Sequence, residues 1–253
     1  MHLRLAVPFA FIALALAVGA ARAEIKTQWI DYRQGDAPLR GYLAYDDAVQ
    51  GPRPGVLLLH RRDGMSALTL KNAEMVARLG YVVFAPDIFG VLPKGVEEEK
   101  AQSAIYNKDR PLMRARAQAG LDVLKANPMV DPAKIAVLGY CFGGTTAVEL
   151  AETGVPILGT VTIHGSFRDF QHDAAKNIHG RMLILHGAED PVAPLSEVEL
   201  LIKDLRDAKT PWQLELYSGT AHGFSTPKNP DEERANAQSQ AAMARFFKEV
   251  FGI

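Results

Sequence analysis

The stretch Ile135-Ala136-Val137-Leu138-Gly139-Tyr140-Cys141-Phe142-Gly143-Gly144 decides how this chain folds. Four apolar residues in a row suit a strand buried on both faces. A Gly-x-Cys-x-Gly turn follows, and helical character runs from Thr145 to Glu152. A strand that turns sharply into a helix holds its central residue in a strained backbone. The residues two before and two after must be small, or their side chains collide. Such a turn lifts the sulfur to the carboxyl edge of a sheet and aims the positive end of the next helix at it, which lowers a thiol pKa. The bland alternative is an inert cysteine in a tight turn. A dinucleotide-binding reading fails, because no Gly-x-Gly-x-x-Gly follows the first strong strand, and no Walker lysine is present.

Outward from this elbow, similar apolar runs recur at Gly55–Leu59, Tyr81–Ala85, Val161–Ile163 and Met182–Leu185. They predict a mostly parallel sheet covered by helices. Gln213–Tyr217 alternates more and suits an edge strand. Thr27–Tyr32 and Gly41–Tyr45 predict an antiparallel hairpin. Apolar stripes at helical spacing fill the gaps: Ala73, Val76 and Ala77 before Gly80; Met113, Ala117, Leu121 and Leu124; Val198, Leu201, Ile202 and Leu205; Met243, Phe247, Val250 and Phe251. Glu97-Glu98-Glu99-Lys100 reads as a solvated helix start. With no internal repeat or linker-like tract, residues 24–253 are expected to form one α/β domain with helices on both faces of the sheet.

The 253 residues carry 28 Lys and Arg against 29 Asp and Glu, a formal net charge of −1. No basic surplus exists to neutralise a phosphate backbone, so nucleic acid is not an expected partner. One cysteine in the chain excludes an intramolecular disulfide framework and Cys-rich metal sites, and no His-x-x-x-His or Glu/His cluster points to a metal. No cofactor is expected. Residues 1–23 read as a secretory signal: Arg4, then an apolar run from Leu5 to Ala21, then the small-x-small site Ala21-Arg22-Ala23. The alternative is an uncleaved anchor. Cleavage near Ala23 would place the chain in the periplasm or outside the cell, in contact with membrane only during export. A lone thiol there suggests that the sulfur has a task.

A nucleophile on this elbow needs a base, and the base needs an orienting acid, in the chain order nucleophile, acid, histidine. Asp190 follows the strand Met182–Leu185, in His186-Gly187-Ala188-Glu189-Asp190-Pro191-Val192. His222 follows the next strand, in Ser218-Gly219-Thr220-Ala221-His222-Gly223-Phe224. Glu189 is the alternative acid, although neighbouring side chains point apart and only one can face the histidine. His60 and His164 also end strands and could line the site, whereas His172, His179 and His186 are scattered.

These residues resemble the dienelactone hydrolase family (carboxymethylenebutenolidase-like) of the α/β-hydrolase superfamily. The resemblance runs from about Gly41 to the C-terminus. It rests on Gly139–Gly144, His186–Pro191, Ala221-His222-Gly223-Phe224 and Ala85-Pro86-Asp87-Ile88-Phe89-Gly90. It implies a compact α/β-hydrolase fold without a large lid. It also implies hydrolysis of carboxylic esters or lactones through a Cys141–His222–Asp190 triad and a thioester intermediate. The oxyanion would be held by the backbone N–H groups of Phe142 and of a residue in the Arg61–Arg62 turn, Arg62. Apart from the resemblance, a cationic pair of Arg61 and Arg62 at the site mouth would stabilise a thiolate and attract anionic substrates, the alternative being two surface arginines that point into solvent, and His60 and Tyr140 are further candidate substrate contacts. The partner is a small ester or lactone, and the chain is expected as a monomer or weak homodimer. Two positions depart from the family pattern. Arg61 stands where members carry a glutamate that contacts the resting cysteine. Thr226 stands where the lactonase has an arginine that binds the substrate carboxylate. An alternative of another class is an exported thiol-reactive or binding protein on the same scaffold without turnover.

Overall fold

The computed structural model describes residues 24–168 and 173–253. The expected signal segment lies outside the described residues. Eight strands form one sheet: β1 (Ile25–Gln34), β2 (Ala37–Asp46), β3 (Arg53–Leu59), β4 (Val82–Ala85), β5 (Val130–Tyr140), β6 (Gly159–Ile163), β7 (Arg181–Gly187) and β8 (Trp212–Tyr217). Their spatial order is β1-β2-β4-β3-β5-β6-β7-β8. The predicted hairpin is present and longer than its apolar core, with β1 and β2 antiparallel over Ile25↔Asp46 to Gln34↔Ala37. β2 pairs antiparallel with β4, and the pairs from β4 through β8 are parallel.

Among the described residues, six α-helices cover the sheet: α1 (Ala67–Ala77), α2 (Val96–Lys108), α3 (Arg110–Ala126), α4 (Phe142–Ala151), α5 (Leu195–Asp207) and α6 (Pro230–Phe251). Side chains alternate across a strand, so β3 serves two cores. Leu57 and Leu59 pack with Met113, Leu121, Val148 and Val198 from α3, α4 and α5. Val56 and Leu58 pack with Ala73, Val76, Met243 and Phe247 from α1 and α6. The predicted stripes are therefore core faces. β3 is buried along its whole length, as its unbroken apolar run requires. The sheet with helices on both faces is the predicted α/β-hydrolase architecture.

One boundary differs from the sequence reading. Helix α4 begins at Phe142, not at Thr145, so Cys141 itself is the residue that precedes the helix. No spacer separates strand from helix. Cys141 consequently sits at φ 53°, ψ −120°, outside the region an L-residue prefers. A Cβ on Gly143 would overlap the carbonyl oxygens of Leu59 and His60, and one on Gly139 would overlap the Gly143 carbonyl. The helix start is thus pressed directly onto the end of β3. Gly143→Ala is expected to cost about 1–3 kcal/mol or more, because backbone cannot move aside as a side-chain tip can. Thermal melting checks this, and a melting temperature equal to that of the parent chain would show that the contact is slack.

Candidate active site

The carboxyl ends of β3, β5, β6, β7 and β8 converge on one edge of the sheet, where the loops carry the polar residues singled out above. Cys141 follows β5. Its backbone N–H donates to the Ile163 carbonyl at 3.0 Å, and its carbonyl accepts from Gly144 and Thr145, which anchors the elbow on both sides. Its side chain points into a cavity of about 370 Å³ that Phe142, Arg62 and His222 also line.

His222 lies in the loop after β8. Its Nε2 is 3.1 Å from Cys141 Sγ, and its Nδ1 is 2.8 Å from Asp190 Oδ2. The other carboxylate oxygen, Oδ1, accepts the N–H groups of Val192 at 2.8 Å and Ala193 at 2.9 Å. Asp190 is thus fixed on one side by backbone and offers its second oxygen to the imidazole. Glu189 does not compete. Its Oε2 accepts the Thr220 N–H at 2.9 Å, while the Glu189 N–H donates to the Thr220 carbonyl at 3.0 Å. The residue beside the acid binds the acid loop to the histidine loop.

The protonation states follow from these contacts. Burial pushes the Cys141 thiol up, but the hydrogen bond and charge of His222, with Arg61 and Arg62, outweigh it, and the net shift is downward. Burial pushes His222 down, whereas its bonds to Asp190 and Cys141 raise it to about 9. Asp190 is pushed up by burial and more strongly down by His222 and the Ala193 and Val192 N–H groups. A lowered thiol beside a raised imidazole is the direction in which a thiolate–imidazolium pair is favoured.

The remaining predicted residues fall in different places. Arg62 lines the cavity. Arg61 does not; its guanidinium reaches across to Thr226, with Nη1 2.6 Å from Oγ1. The two positions that depart from the family pattern therefore touch each other. His60 is almost fully buried beneath the site and has no face for substrate. Tyr140, expected as a substrate contact, is also buried. Strand alternation turns it into the core shared with α1 and α6, away from the cavity. His164 lies behind His222 with ring centroids 5.0 Å apart, and its Nε2 is 2.7 Å from Ser225 Oγ. Burial, then the charges of His222 and Arg61, hold His164 well below the usual range, so it is neutral.

Sequence reasoning missed the far wall of the cavity, which Lys108, Arg110 and Arg168 help to form. Arg110 and Arg168 are tethered from behind by Glu149 and Glu197, each at 3.3 Å. Their positions depend on how α3 and the loop after β6 meet, and no local motif encodes that. His186 was also not assigned a task. Its buried Nε2–H donates to the Ala193 carbonyl at 2.8 Å and so supports the loop that holds Asp190. Among the described residues, Cys141, His164 and His222 bring one sulfur and two ring nitrogens within 4.8 Å of one another. That spacing would suit a soft cation. However, Arg61 and Arg62 set positive charge at the sulfur, and the imidazole already bridges Asp190 and Cys141.

The fold and this arrangement define an α/β-hydrolase. The model of the dienelactone hydrolase family matches residues 39–251, and the chain belongs to that family. It is thereby a hydrolase of the lactone- and ester-cleaving kind. Among solved structures, it is similar to a dienelactone hydrolase-like promiscuous phosphotriesterase from metagenomic libraries. The two are 31% identical, with a TM-score of 0.84 over 89% of this chain and 98% of that one. A second structure, m3DLH, is 33% identical with a TM-score of 0.84, covering 92% of this chain and all of that one (100%). A carboxymethylenebutenolidase homolog of Mus musculus is 26% identical over 161 residues, 63% of this chain and 65% of that protein.

Alkylation of Cys141 by iodoacetamide should follow the thiolate. Because deprotonation creates the reactive form, a lowered pKa moves the rate profile to lower pH, with its midpoint below the ~8.5 of a free thiol. His222→Gln and Arg61→Glu should each move the midpoint upward. A midpoint at or above ~8.5 in the parent chain would exclude the ion pair.

Proposed function

We propose that the chain hydrolyses carboxylic esters or lactones by acyl transfer to Cys141, with His222 moving the protons and Asp190 orienting it. The continuous Sγ···Nε2 and Nδ1···Oδ2 contacts at the cavity, 3.1 and 2.8 Å, carry this reading. The Cys141 thiolate attacks the carbonyl carbon. A sulfur–carbon bond forms, and the carbonyl electron pair moves onto oxygen. The backbone N–H groups of Phe142, at the start of α4, and of Arg62 would receive that oxyanion. The oxyanion then collapses and the bond to the leaving oxygen breaks, while His222 gives that oxygen its Nε2 proton. Neutral His222 next takes a proton from water, and the resulting hydroxide equivalent attacks the thioester. The acid departs, and the thiolate–imidazolium pair is restored. Thiolate leaves about as readily as it attacks, so activated esters and lactones suit this site better than amides.

The wall of Arg62, Lys108, Arg110 and Arg168 supports a substrate that carries a carboxylate or similar anion. Arg61, where the family has a glutamate, supports a thiolate that is ready before substrate arrives. We also propose export of the mature chain, on the strength of the apolar segment that ends at Ala23.

Mature protein is assayed on a panel of chromogenic esters, lactones and thioesters. Cys141→Ala and His222→Ala should each lower kcat/KM for a 4-nitrophenyl ester by at least about 10³-fold, and Asp190→Asn by about 10²–10⁴-fold. A parent chain with no turnover on any of them would favour the thiol-reactive or binding alternative. Replacing both Arg61 and Arg62 by Ala should reduce the preference for carboxylate-bearing over neutral esters by roughly tenfold, about the worth of one charge-assisted contact. An unchanged preference would assign the selectivity to other residues.

A further inference from the structure

The turn after β3 must supply the second oxyanion donor, and its backbone is held from underneath. His60 closes β3 with a ring that is 1% exposed. Its Nδ1 is 2.6 Å from the Arg61 carbonyl oxygen, and its Nε2 is 3.0 Å from the Ile88 backbone nitrogen. A carbonyl oxygen only accepts and an amide N–H only donates. The ring is therefore neutral with its proton on Nδ1, and both nitrogens are used. Burial, which disfavours the imidazolium, agrees. The same Arg61 carbonyl accepts the Gly64 N–H at 3.1 Å, which closes the turn.

In a trans peptide the C=O and N–H point in opposite directions, and no peptide bond among the described residues is cis. A carbonyl held down against His60 therefore turns the Arg62 N–H the other way. Arg62 lines the cavity together with Cys141 and Phe142. Among the described residues no backbone carbonyl takes up this N–H. We infer that His60 is a positioning residue that aims the Arg62 N–H at the oxyanion by holding the Arg61 carbonyl. This rests on the acyl-transfer reading of Cys141. Without the ring, the Gly64 bond alone holds the peptide, and a flip would present a carbonyl to the developing negative charge.

The test separates oxyanion stabilisation from thiolate formation. Iodoacetamide forms a sulfur–carbon bond as iodide departs and generates no oxyanion, so its rate reads the thiolate alone. His60→Leu should lower kcat for a chromogenic acetate ester by roughly 10²-fold, the usual cost of one such donor. KM and the alkylation rate at fixed pH should stay within about twofold, because neither depends on the oxyanion. His60→Asn can still donate to the Arg61 carbonyl but cannot reach Ile88. It should melt at a lower temperature yet keep kcat within about tenfold of the parent chain, which a merely structural role would not allow. If the Leu variant does not fold, His60→Met fills the space without a donor and is read in the same way.

An unchanged kcat in the Leu or Met variant overturns the inference. So does a parallel fall of kcat and alkylation, or a folded Asn variant as slow as the apolar one. A parent chain that turns over no ester overturns the acyl-transfer reading itself, and that is visible before any variant is made.

Discussion

Contact between the first turn of α4 and the last residues of β3 governs this molecule. Gly143 lies against the Leu59 and His60 carbonyls with no room for a side chain. The same contact fixes two things at once. It forces Cys141 into its strained backbone, which raises the sulfur above the sheet edge. It also brings the turn after β3 beside the N-terminus of α4. A looser junction would relax the cysteine and part these two segments together. The strain at Cys141 persists because the strands and helices on either side over-determine it.

Much of this was legible in the sequence where the signal was local. The run Ile135–Leu138 with its flanking glycines specifies a strand, an elbow and a helix because sterics at i±2 leave no other solution. Asp190 and His222 were found because each lies just past an apolar strand, and parallel strands deliver their ends to one edge. The helix start was placed too late because Phe142-Gly143-Gly144 has poor intrinsic helix propensity, which packing overrode. Tyr140 stands next to Cys141 in the sequence, yet the period of a strand sends it into the core shared with α1 and α6. Arg110 and Arg168 could not be foreseen: their relation to the cysteine is set by the packing of α3 and a loop far along the chain.

Electrostatics divides the site into two roles. Behind Cys141, negative charge at Asp190 supports a protonated imidazole on His222. In front of it, Arg62, Lys108, Arg110 and Arg168 line the cavity. Arg61 links these roles, since its charge lowers the thiol pKa and its hydrogen bond ties the turn after β3 to the histidine loop at Thr226. An acidic residue at position 61 would oppose the thiolate and lose this bond. The exchange of Glu for Arg relative to the family pattern thus alters the resting state of the sulfur rather than the layout of the three side chains.

The reciprocal pairing of Glu189 and Thr220 has a consequence for how such a scaffold diversifies. Glu189 meets the Thr220 backbone with both its carboxylate and its own N–H, so the two loops behave as one piece of framework that carries both Asp190 and His222. Recombination that exchanged a single loop would break the seam and misalign the pair, while joint transfer of both would preserve it. The turn after β3 and the far cavity wall lie outside that seam. Residues there can vary while the Asp190–His222 pair is inherited whole.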